Sequence, residues 1–322
     1  MKLGVLTVLY QQLSLEEALD KVRGMGVAAV ELGTGNYPGN AHCDPDRLLA
    51  DDAALRALRD AVESRGLMIS ALSQHGNPLH PDDAFARGSH DTWQKTVRLA
   101  EKLGVGVVNA FSGCPGDRDG ARYPNWVTCA WPTDFNDILA WQWEERVIPY
   151  WEREAAFARD HGVRIAFEMH PGFVVYNPET LLRLRAAVGP EIGANFDPSH
   201  LFWQGIDPME AVKVLGREQA IFHVHAKDTY LDPANVRVNG VLDTKAYERV
   251  LDRAWSFRTV GYGQPEKVWR DLVSVLRMVG YDFVLSIEHE DSLMSIDEGL
   301  GKAIALLDRI LLKESAGEMW WA

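Results

Sequence analysis

Short apolar runs alternate with amphipathic segments along the whole chain. Eight runs have the β-branched and apolar character of buried strands, and they begin at Lys2, Ala28, Leu67, Gly106, Arg164, Ile192, Ile221 and Phe283. Segments with helical spacing follow them, such as SLEEALDKVRGMG and TWQKTVRLAEKLG, and several end in glycine just before the next strand. This order predicts parallel strands connected by helices, which is an α/β fold.

Eight such units in 322 residues predict a single (β/α)8 TIM barrel. The alternative, an open doubly wound sheet, normally has a glycine-rich turn after its first strand, whereas here that segment reads LYQQLS. No linker divides the chain, so we expect one domain over residues 1–322, with residues 313–322 as a C-terminal tail. Two long βα loops, at about 112–137 and 229–264, are expected to build the active-site face.

The formal net charge of −13 argues against nucleic acid as a ligand, because a phosphate backbone would be repelled. Three cysteines (Cys43, Cys114 and Cys129) without a CxxC pair indicate a reducing compartment. The N-terminus lacks the apolar core of a signal peptide, and no run approaches the roughly 20 apolar residues of a membrane span. We therefore expect a cytoplasmic protein that does not enter a membrane.

Polar residues capable of chemistry concentrate at the ends of the late strands. They occur in the motifs FEMHPG (Glu168, His170), NFDPSH (Asp197, His200), HVHAKD (His223, His225, Lys227, Asp228) and SIEHED (Glu288, His289, Glu290, Asp291). An earlier strand ends in SQHGNPLH, which contains His75, Asn77 and His80. Since strand residues two apart share a face, pairs such as Glu168 and His170 are expected to point to the same side.

The ends of strands five to eight are neighbours in a closed barrel, so two glutamates, one aspartate and one histidine are expected to converge. Carboxylates with one imidazole suit Mn²⁺, Mg²⁺, Co²⁺ or Zn²⁺ and leave positions open for substrate oxygens. The alternative is a network of Glu–His and Asp–Lys pairs, although buried carboxylates without a cation would be costly. The residues alone leave open whether His223 or His225 belongs to the set.

In these motifs the sequence resembles the xylose-isomerase-like TIM-barrel superfamily, often labelled sugar phosphate isomerase/epimerase. Ketose 3-epimerases, myo-inosose dehydratase, 3-keto-glycoside lyases and an AP endonuclease belong to it, and the resemblance covers nearly the whole chain. It implies one divalent metal, with Mn²⁺ the first candidate, bound by Glu168, Asp197, His225 and Glu288. The family pattern H-x-K/N-D selects His225, because Lys227 and Asp228 follow it.

The resemblance implies a keto-sugar substrate and a metal-stabilised enediolate, with Glu168 and Glu288 moving the proton. His200 is implied to contact the substrate, and His170 and His75 are candidate acids or bases. Lys227, Asn77, Arg258 and Trp126 are predicted to bind substrate. Arg258 is a candidate because the arginine that epimerases carry after the seventh-strand histidine is missing from TYLDPAN.

Three functions are compatible with these residues. The first is isomerisation or epimerisation of a sugar, and the second is elimination from the same intermediate, which would cleave a 3-keto-glycoside. The third is a non-catalytic sugar-binding barrel. No glycine-rich phosphate loop follows the last two strands, so a phosphate on the substrate is not expected. The tail KESAGEMWWA is expected to pack on the barrel or on a partner, either a second copy or a small accessory subunit.

Overall fold

Eight parallel strands form a closed barrel in the computed structural model, which describes residues 1–315 and 317–321. The barrel strands are β1 (Lys2–Leu6), β2 (Ala29–Gly33), β3 (Met68–Ser73), β4 (Val107–Ala110), β5 (Arg164–Glu168), β6 (Ile192–Phe196), β7 (Ile221–Ala226) and β10 (Val284–Ile287). β1 pairs with β10 as well as with β2, which closes the sheet. The predicted (β/α)8 barrel is confirmed, and the open sheet is excluded.

Two further strands form a hairpin outside the barrel. β8 (Asp228–Leu231) and β9 (Trp255–Arg258) pair antiparallel. The predicted seventh strand, which extended from Ile221 to Asp228, was therefore too long: barrel pairing ends at Ala226. The chain changes partner there because Asp228 bonds to the loop that follows β9.

Most helices cover the outside of the barrel with their apolar faces, whereas those at Asp134–Trp141 and Pro233–Asn239 contain no buried residue. They are α1 (Leu15–Gly24), α2 (Pro45–Ala50), α3 (Asp52–Glu63), α4 (Asp83–Leu103), α5 (Asp134–Trp141), α6 (Ile148–Asp160), α7 (Pro178–Val188), α8 (Pro198–Gln204), α9 (Pro208–Arg217), α10 (Pro233–Asn239), α11 (Glu266–Met278) and α12 (Ile296–Ile310). Trp93, Trp151 and Trp269 are fully buried where these faces pack. Several helices begin at an Asp–Pro pair, in which the aspartate caps the first backbone N–H groups and proline fixes the first turn.

The C-terminal tail was expected to pack on the barrel or on a partner. Trp320 and Trp321 are 87% and 68% exposed, so their side chains do not lie against the barrel. Their contact with a partner stays a prediction. Across residues 1–315 and 317–321, none of the helices combines the length and the apolar character that a membrane crossing requires.

The buried carboxylate of Asp228 holds the hairpin and the following loop against the barrel. Its oxygens accept hydrogen bonds from the backbone N–H groups of Thr229, Gly261, Gly263 and Gln264 and from the indole of Trp269. A side chain at Gly263 would lie 2.4 Å from the backbone of Thr229, so the loop can approach this closely only with glycine.

Replacing Asp228 with alanine is expected to lower the free energy of unfolding by about 3 kcal/mol, because several buried donors lose their acceptor. Urea unfolding followed by circular dichroism measures the change. Asp232→Ala in the same loop is the control: Asp232 only caps the exposed helix α10, and its loss should cost about 1 kcal/mol. Equal losses in the two variants would contradict the anchoring role of Asp228.

Candidate metal centre

The four predicted metal ligands meet at the carboxyl ends of four adjacent strands. Glu168 is the last residue of β5, Asp197 follows β6, His225 lies in β7 and Glu288 follows β10. One donor atom from each of the four lies within 4.8 Å of the others. The Nδ1 atom of His225 is 3.1 Å from Glu168 Oε2 and 3.1 Å from Glu288 Oε2. The barrel therefore assembles a compact set of three carboxylates and one imidazole.

The local sequence explains how Asp197 is held in this set. Asp197 is the N-cap of α8, and its Oδ1 accepts a hydrogen bond of 2.8 Å from the backbone N–H of Ser199. The helix thus fixes one carboxylate oxygen and leaves Oδ2 for the centre. The DPSH motif combines a helix start with a ligand position, and it places His200 one turn further on.

Two buried oxygen atoms of the set have no hydrogen-bond donor among the described residues: Asp197 Oδ2 and Glu288 Oε2. Both lie near the ammonium of Lys227, at 3.2 Å and 3.1 Å, but without hydrogen-bond geometry. Buried carboxylate oxygens left in this state are costly unless a cation coordinates them. Hard oxygen donors with one imidazole nitrogen are also the donor set that Mn²⁺, Mg²⁺, Co²⁺ and Zn²⁺ accept. The four residues therefore fit a divalent cation.

The charges of the centre are strongly coupled. Burial acts to raise the pKa of Glu168, but the neighbouring imidazoles of His200, His225 and His75 outweigh burial and hold that pKa well below its usual value. Burial lowers the pKa of His225, yet the surrounding carboxylates raise it well above normal. Without a metal, these carboxylates therefore favour the protonated imidazolium form of His225.

Asp197 and Glu288 respond in opposite directions to the same surroundings. Burial, reinforced by Glu168 and Glu288 against the opposing charge of Lys227, raises the pKa of Asp197 to about 6. Burial also acts to raise the pKa of Glu288, but Lys227 and His225 outweigh it and lower that pKa to about 2. Lys227 itself stays charged, because its carboxylate neighbours outweigh burial and raise its pKa well above normal.

A cavity of about 270 Å³ opens directly onto the centre. Its polar wall consists of His75, Glu168, His170, His225, Lys227, Glu288 and Glu290, and its apolar wall consists of Leu6, Val8, Tyr37, Pro38 and Phe111. This size is near the lower end for small-molecule pockets and suits a ligand as large as a monosaccharide. Among the described residues lining it, none is an arginine.

Three predicted site residues around Glu168 are brought together with it. His75 Nε2 is 3.1 Å from Glu168 Oε2, and His200 Nε2 is 3.1 Å from Glu168 Oε1. His170 lines the cavity and packs against His200, with ring centroids 4.1 Å apart. Its Nδ1 lies 2.6 Å from the carbonyl oxygen of Pro171, so Nδ1 carries a proton and Nε2 has a free lone pair. Burial, reinforced by the nearby charge of His200, lowers the pKa of His170 to about 3 and keeps it neutral.

Three other predicted substrate-binding residues lie outside this cavity. The amide of Asn77 bonds to the backbone of Cys114, and Trp126 lines a separate cavity beside Tyr176. Arg258 lies in β9 and pairs with Asp291 at 3.0 Å. The geometry does not support their predicted substrate contacts: the polar groups of Asn77 and Arg258 are bound to Cys114 and Asp291, and Trp126 lies at a different cavity.

Sequence reasoning missed a buried polar layer beneath the centre. Glu31 in β2 is fully buried, and both of its carboxylate oxygens lie 3.0 Å from His225 Nε2. Asn109 in β4 and Asn195 in β6 join the same layer. A signal was present in the strand AVELG, where a carboxylate stands among apolar residues and requires a partner.

His223 belongs to this lower layer and not to the centre. Its Nδ1 is 3.0 Å from Asn195 Oδ1, and its Nε2 is 3.2 Å from Ser70 Oγ. Strand alternation places His223 and His225 on the same inner face, but the rise along β7 separates their heights in the barrel. Geometry thus agrees with the selection of His225 over His223.

The comparisons with known proteins agree with the fold. Residues 19–310 match the family model described as xylose isomerase-like TIM barrel. The uncharacterized protein YfiH of Bacillus subtilis (strain 168) is 38% identical over 314 residues, which cover 97% of this chain and 99% of that protein.

Two solved structures show the same architecture at low sequence identity. A zinc-binding IolI protein has a TM-score of 0.65 at 18% identity and covers 98% of this chain and 100% of its own. A D-tagatose 3-epimerase-like protein has a TM-score of 0.63 at 19% identity, with coverages of 96% and 98%. At these identities the two structures bear on the fold alone, whereas the family match spans most of the chain. The chain belongs to the xylose isomerase-like TIM barrel family.

Proposed function

We propose that this protein is a divalent-metal-dependent isomerase or epimerase that acts on a keto-sugar through an enediolate. The observation that carries the proposal is the convergence of Glu168, Asp197, His225 and Glu288, of which all but Asp197 line a monosaccharide-sized cavity. The family membership and the name of the D-tagatose 3-epimerase-like relative support it. Mn²⁺ is the metal we propose first, with Mg²⁺, Co²⁺ and Zn²⁺ as alternatives; the zinc of the IolI relative favours keeping Zn²⁺ among them.

The carboxylates of Glu168 and Glu288 are suited to move a proton at the carbon next to the carbonyl. Their pKa values lie below normal, so both are ionised and able to accept a proton. An oxygen atom of each lies 3.1 Å from His225 Nδ1, and we propose that a bound substrate meets one carboxylate on each side. When bound, the divalent ion would polarise the carbonyl and stabilise the negative charge of the enediolate.

The charge of the cavity favours a neutral substrate. Lys227 already faces three carboxylates, of Asp197, Glu288 and Glu290, at 3.1 to 3.2 Å. A phosphate would therefore enter a site without a spare cation from the chain. The apolar wall, with Tyr37 and Phe111, fits the C–H face of a sugar ring. We propose an unphosphorylated keto-sugar.

Elimination is the second candidate, and the position of His170 favours it. This neutral imidazole lines the cavity beside Glu168, with its Nε2 lone pair available. Cleavage of a 3-keto-glycoside needs one group to take the carbon-bound proton and a second group to protonate the departing oxygen. We propose His170 for the second role: its Nε2 first accepts the proton that Glu168 has taken from carbon and then delivers it to the departing oxygen. His75, next to Glu168, is the alternative for the same role.

Incubation in D₂O with Mn²⁺ and a panel of ketoses, inososes and 3-keto-glycosides tests the proposal. Deuterium in the recovered substrate or product, detected by mass spectrometry, is expected for at least one sugar. Formation of a new stereoisomer selects epimerisation, and release of an aglycone selects elimination. Absence of exchange with every member of the panel, for protein loaded with each of the four metals, would overturn both candidates.

His170→Asn separates the two candidates further. If elimination operates, this variant is expected to release aglycone at least about 10²-fold more slowly, because a proton-transfer group is lost. Deuterium exchange into the substrate should remain, since Glu168 and Glu288 are unchanged. Parallel kinetics of exchange and aglycone release measure the difference, and equal losses in the two rates would argue against a separate role for His170.

A further inference from the structure

We propose that Glu31 is a positioning residue of the metal centre, which holds His225 with its Nε2 protonated and its Nδ1 directed to the metal. Glu31 lies in β2, on the opposite side of the barrel from the strands that supply the four ligands. It reaches His225 across the interior, since β2 is not adjacent to β7. Glu31 has this role only if the centre binds a metal, as proposed above.

The two ring nitrogens of His225 face different partners. Nδ1 lies 3.1 Å from oxygen atoms of Glu168 and Glu288, which belong to the ligand set. Nε2 lies 3.0 Å from both carboxylate oxygens of Glu31. Both nitrogens face carboxylates, which can only accept hydrogen bonds. A metal bound by Glu168 and Glu288 would take the place of the proton on Nδ1, whereas Glu31 lies outside the ligand set, so Nε2 keeps its proton and Nδ1 is the nitrogen that faces the metal. A histidine held between a carboxylate and a metal has a fixed tautomer and ring orientation and is a better ligand.

A second metal between Glu31, His223 and His225 is the competing explanation, since these three residues also lie close enough to share an ion. The hydrogen bonds of Glu31 argue against it. Its Oε2 accepts from Ser286 Oγ at 2.6 Å, and its Oε1 accepts from Asn109 Nδ2 at 2.8 Å and from the hydroxyl of Ser73. With His225, four donors from the described residues surround one carboxylate.

These donors make Glu31 a rigid acceptor and not a vacant ligand. Ser73 lies in β3, Asn109 in β4 and Ser286 in β10, so three strands besides its own fix the carboxylate. Asp197 and Glu288, in contrast, each have a buried oxygen without a hydrogen-bond donor. The structure thus separates carboxylates that are ready for a metal from one that is already saturated by hydrogen bonds.

The test is the metal affinity of Glu31→Gln, measured by calorimetric titration of metal-free protein with Mn²⁺. We expect an affinity about 10- to 100-fold below that of the unchanged protein, as for other residues that orient a metal ligand. Ser70→Ala is the matched control: it removes a buried hydroxyl from the same layer that hydrogen-bonds to His223 and to the carbonyl oxygen of Val30, and to none of Glu31 and the four ligands among the described residues. The control is expected to bind Mn²⁺ with unchanged affinity.

A second readout reports the imidazole directly. In zinc-loaded protein with ¹⁵N-labelled histidine, we expect one ring with a metal-shifted Nδ1 and a slowly exchanging Nε2–H. In Glu31→Gln the Nε2–H should exchange faster, which a purely structural role of Glu31 would not produce. If Glu31→Gln does not fold, Ser286→Ala retains the charge but loosens the carboxylate, and it should give a smaller change in the same direction.

The outcomes distinguish this role from the proposed function. Equal Mn²⁺ affinity and equal Nε2–H exchange in the unchanged protein and Glu31→Gln would overturn the role of Glu31 and leave the metal centre intact. Two Mn²⁺ ions per chain, one of which is lost in Glu31→Gln, would instead make Glu31 a ligand. No binding of Mn²⁺ or Zn²⁺ by the unchanged protein would overturn the metal-dependent function and the role of Glu31 together.

Discussion

Glu168→Gln is expected to reduce turnover of the active keto-sugar by about 10²- to 10⁴-fold, because the amide cannot accept the carbon-bound proton. The side chain keeps its size, so the cavity should keep its shape. The effect is expected to be large because Glu168 contacts His75, His200 and His225, and no other carboxylate of the described residues contacts all three. Deuterium exchange and product formation, measured at saturating Mn²⁺, determine whether both steps are lost together.

Glu154→Gln is the matched control for this change. Glu154 is also a buried carboxylate, but it accepts a hydrogen bond of 2.9 Å from the indole of Trp93 between α4 and α6, outside the barrel mouth. This variant should lose stability and retain turnover. Calorimetric titration with Mn²⁺ separates the two roles of Glu168: weaker metal binding reports a ligand, and unchanged binding with lost exchange reports a base. Full turnover in Glu168→Gln would exclude the proposed proton transfer.

Loading with a divalent metal is expected to stabilise the fold by about 4 kcal/mol when free metal reaches 1,000 times its dissociation constant. The physical reason is the cluster of buried carboxylates, which without a metal depends on Lys227 and a protonated His225 for neutralisation. For a chain of this length, the gain corresponds to a rise of about 6 °C in the unfolding midpoint. Thermal unfolding of chelator-treated protein at increasing Mn²⁺ concentration measures it.

Glu288→Gln provides the comparison for metal-dependent stability. It removes one carboxylate charge from the set and should flatten the dependence of the midpoint on Mn²⁺ concentration. Asp232→Ala, far from the centre, should keep the full dependence while starting from a slightly lower midpoint. If none of Mn²⁺, Mg²⁺, Co²⁺ and Zn²⁺ changes the thermal unfolding midpoint of the unchanged protein, a metal centre at the four predicted ligands would be contradicted.

Much of the architecture could be predicted from local patterns. All eight predicted barrel strands are present, because a strand buried on both faces needs a continuous apolar run that the sequence shows directly. Helix ends were readable for a similar reason: glycine in the left-handed conformation follows α4 and α8, and aspartate caps start several helices. The ends of strands were less certain, as β7 shows, because pairing partners distant in the chain decide where a strand leaves the sheet.

Glu168, Asp197 and Glu288 could be selected because each ends or follows its strand in a recognisable motif, whereas His225 was selected over His223 only through the resemblance to the family. Substrate contacts were harder, and Trp126, Asn77 and Arg258 show why. A loop of more than twenty residues fixes where its aromatic and polar side chains point only through contacts with other segments, such as Tyr176 beside Trp126 and Asp291 beside Arg258.

The sequence by itself determined the barrel, the order of its strands and the three carboxylates of the centre, because those depend on short-range periodicity and on strand ends. Only the tertiary structure decided which nitrogen of His225 faces the centre. It also decided that Glu31, nearly 200 positions earlier in the chain, binds the other nitrogen. That contact crosses the interior between strands that are not neighbours in the sheet. Its hydrogen bonds exist only once the barrel closes, and no local pattern in the chain encodes them.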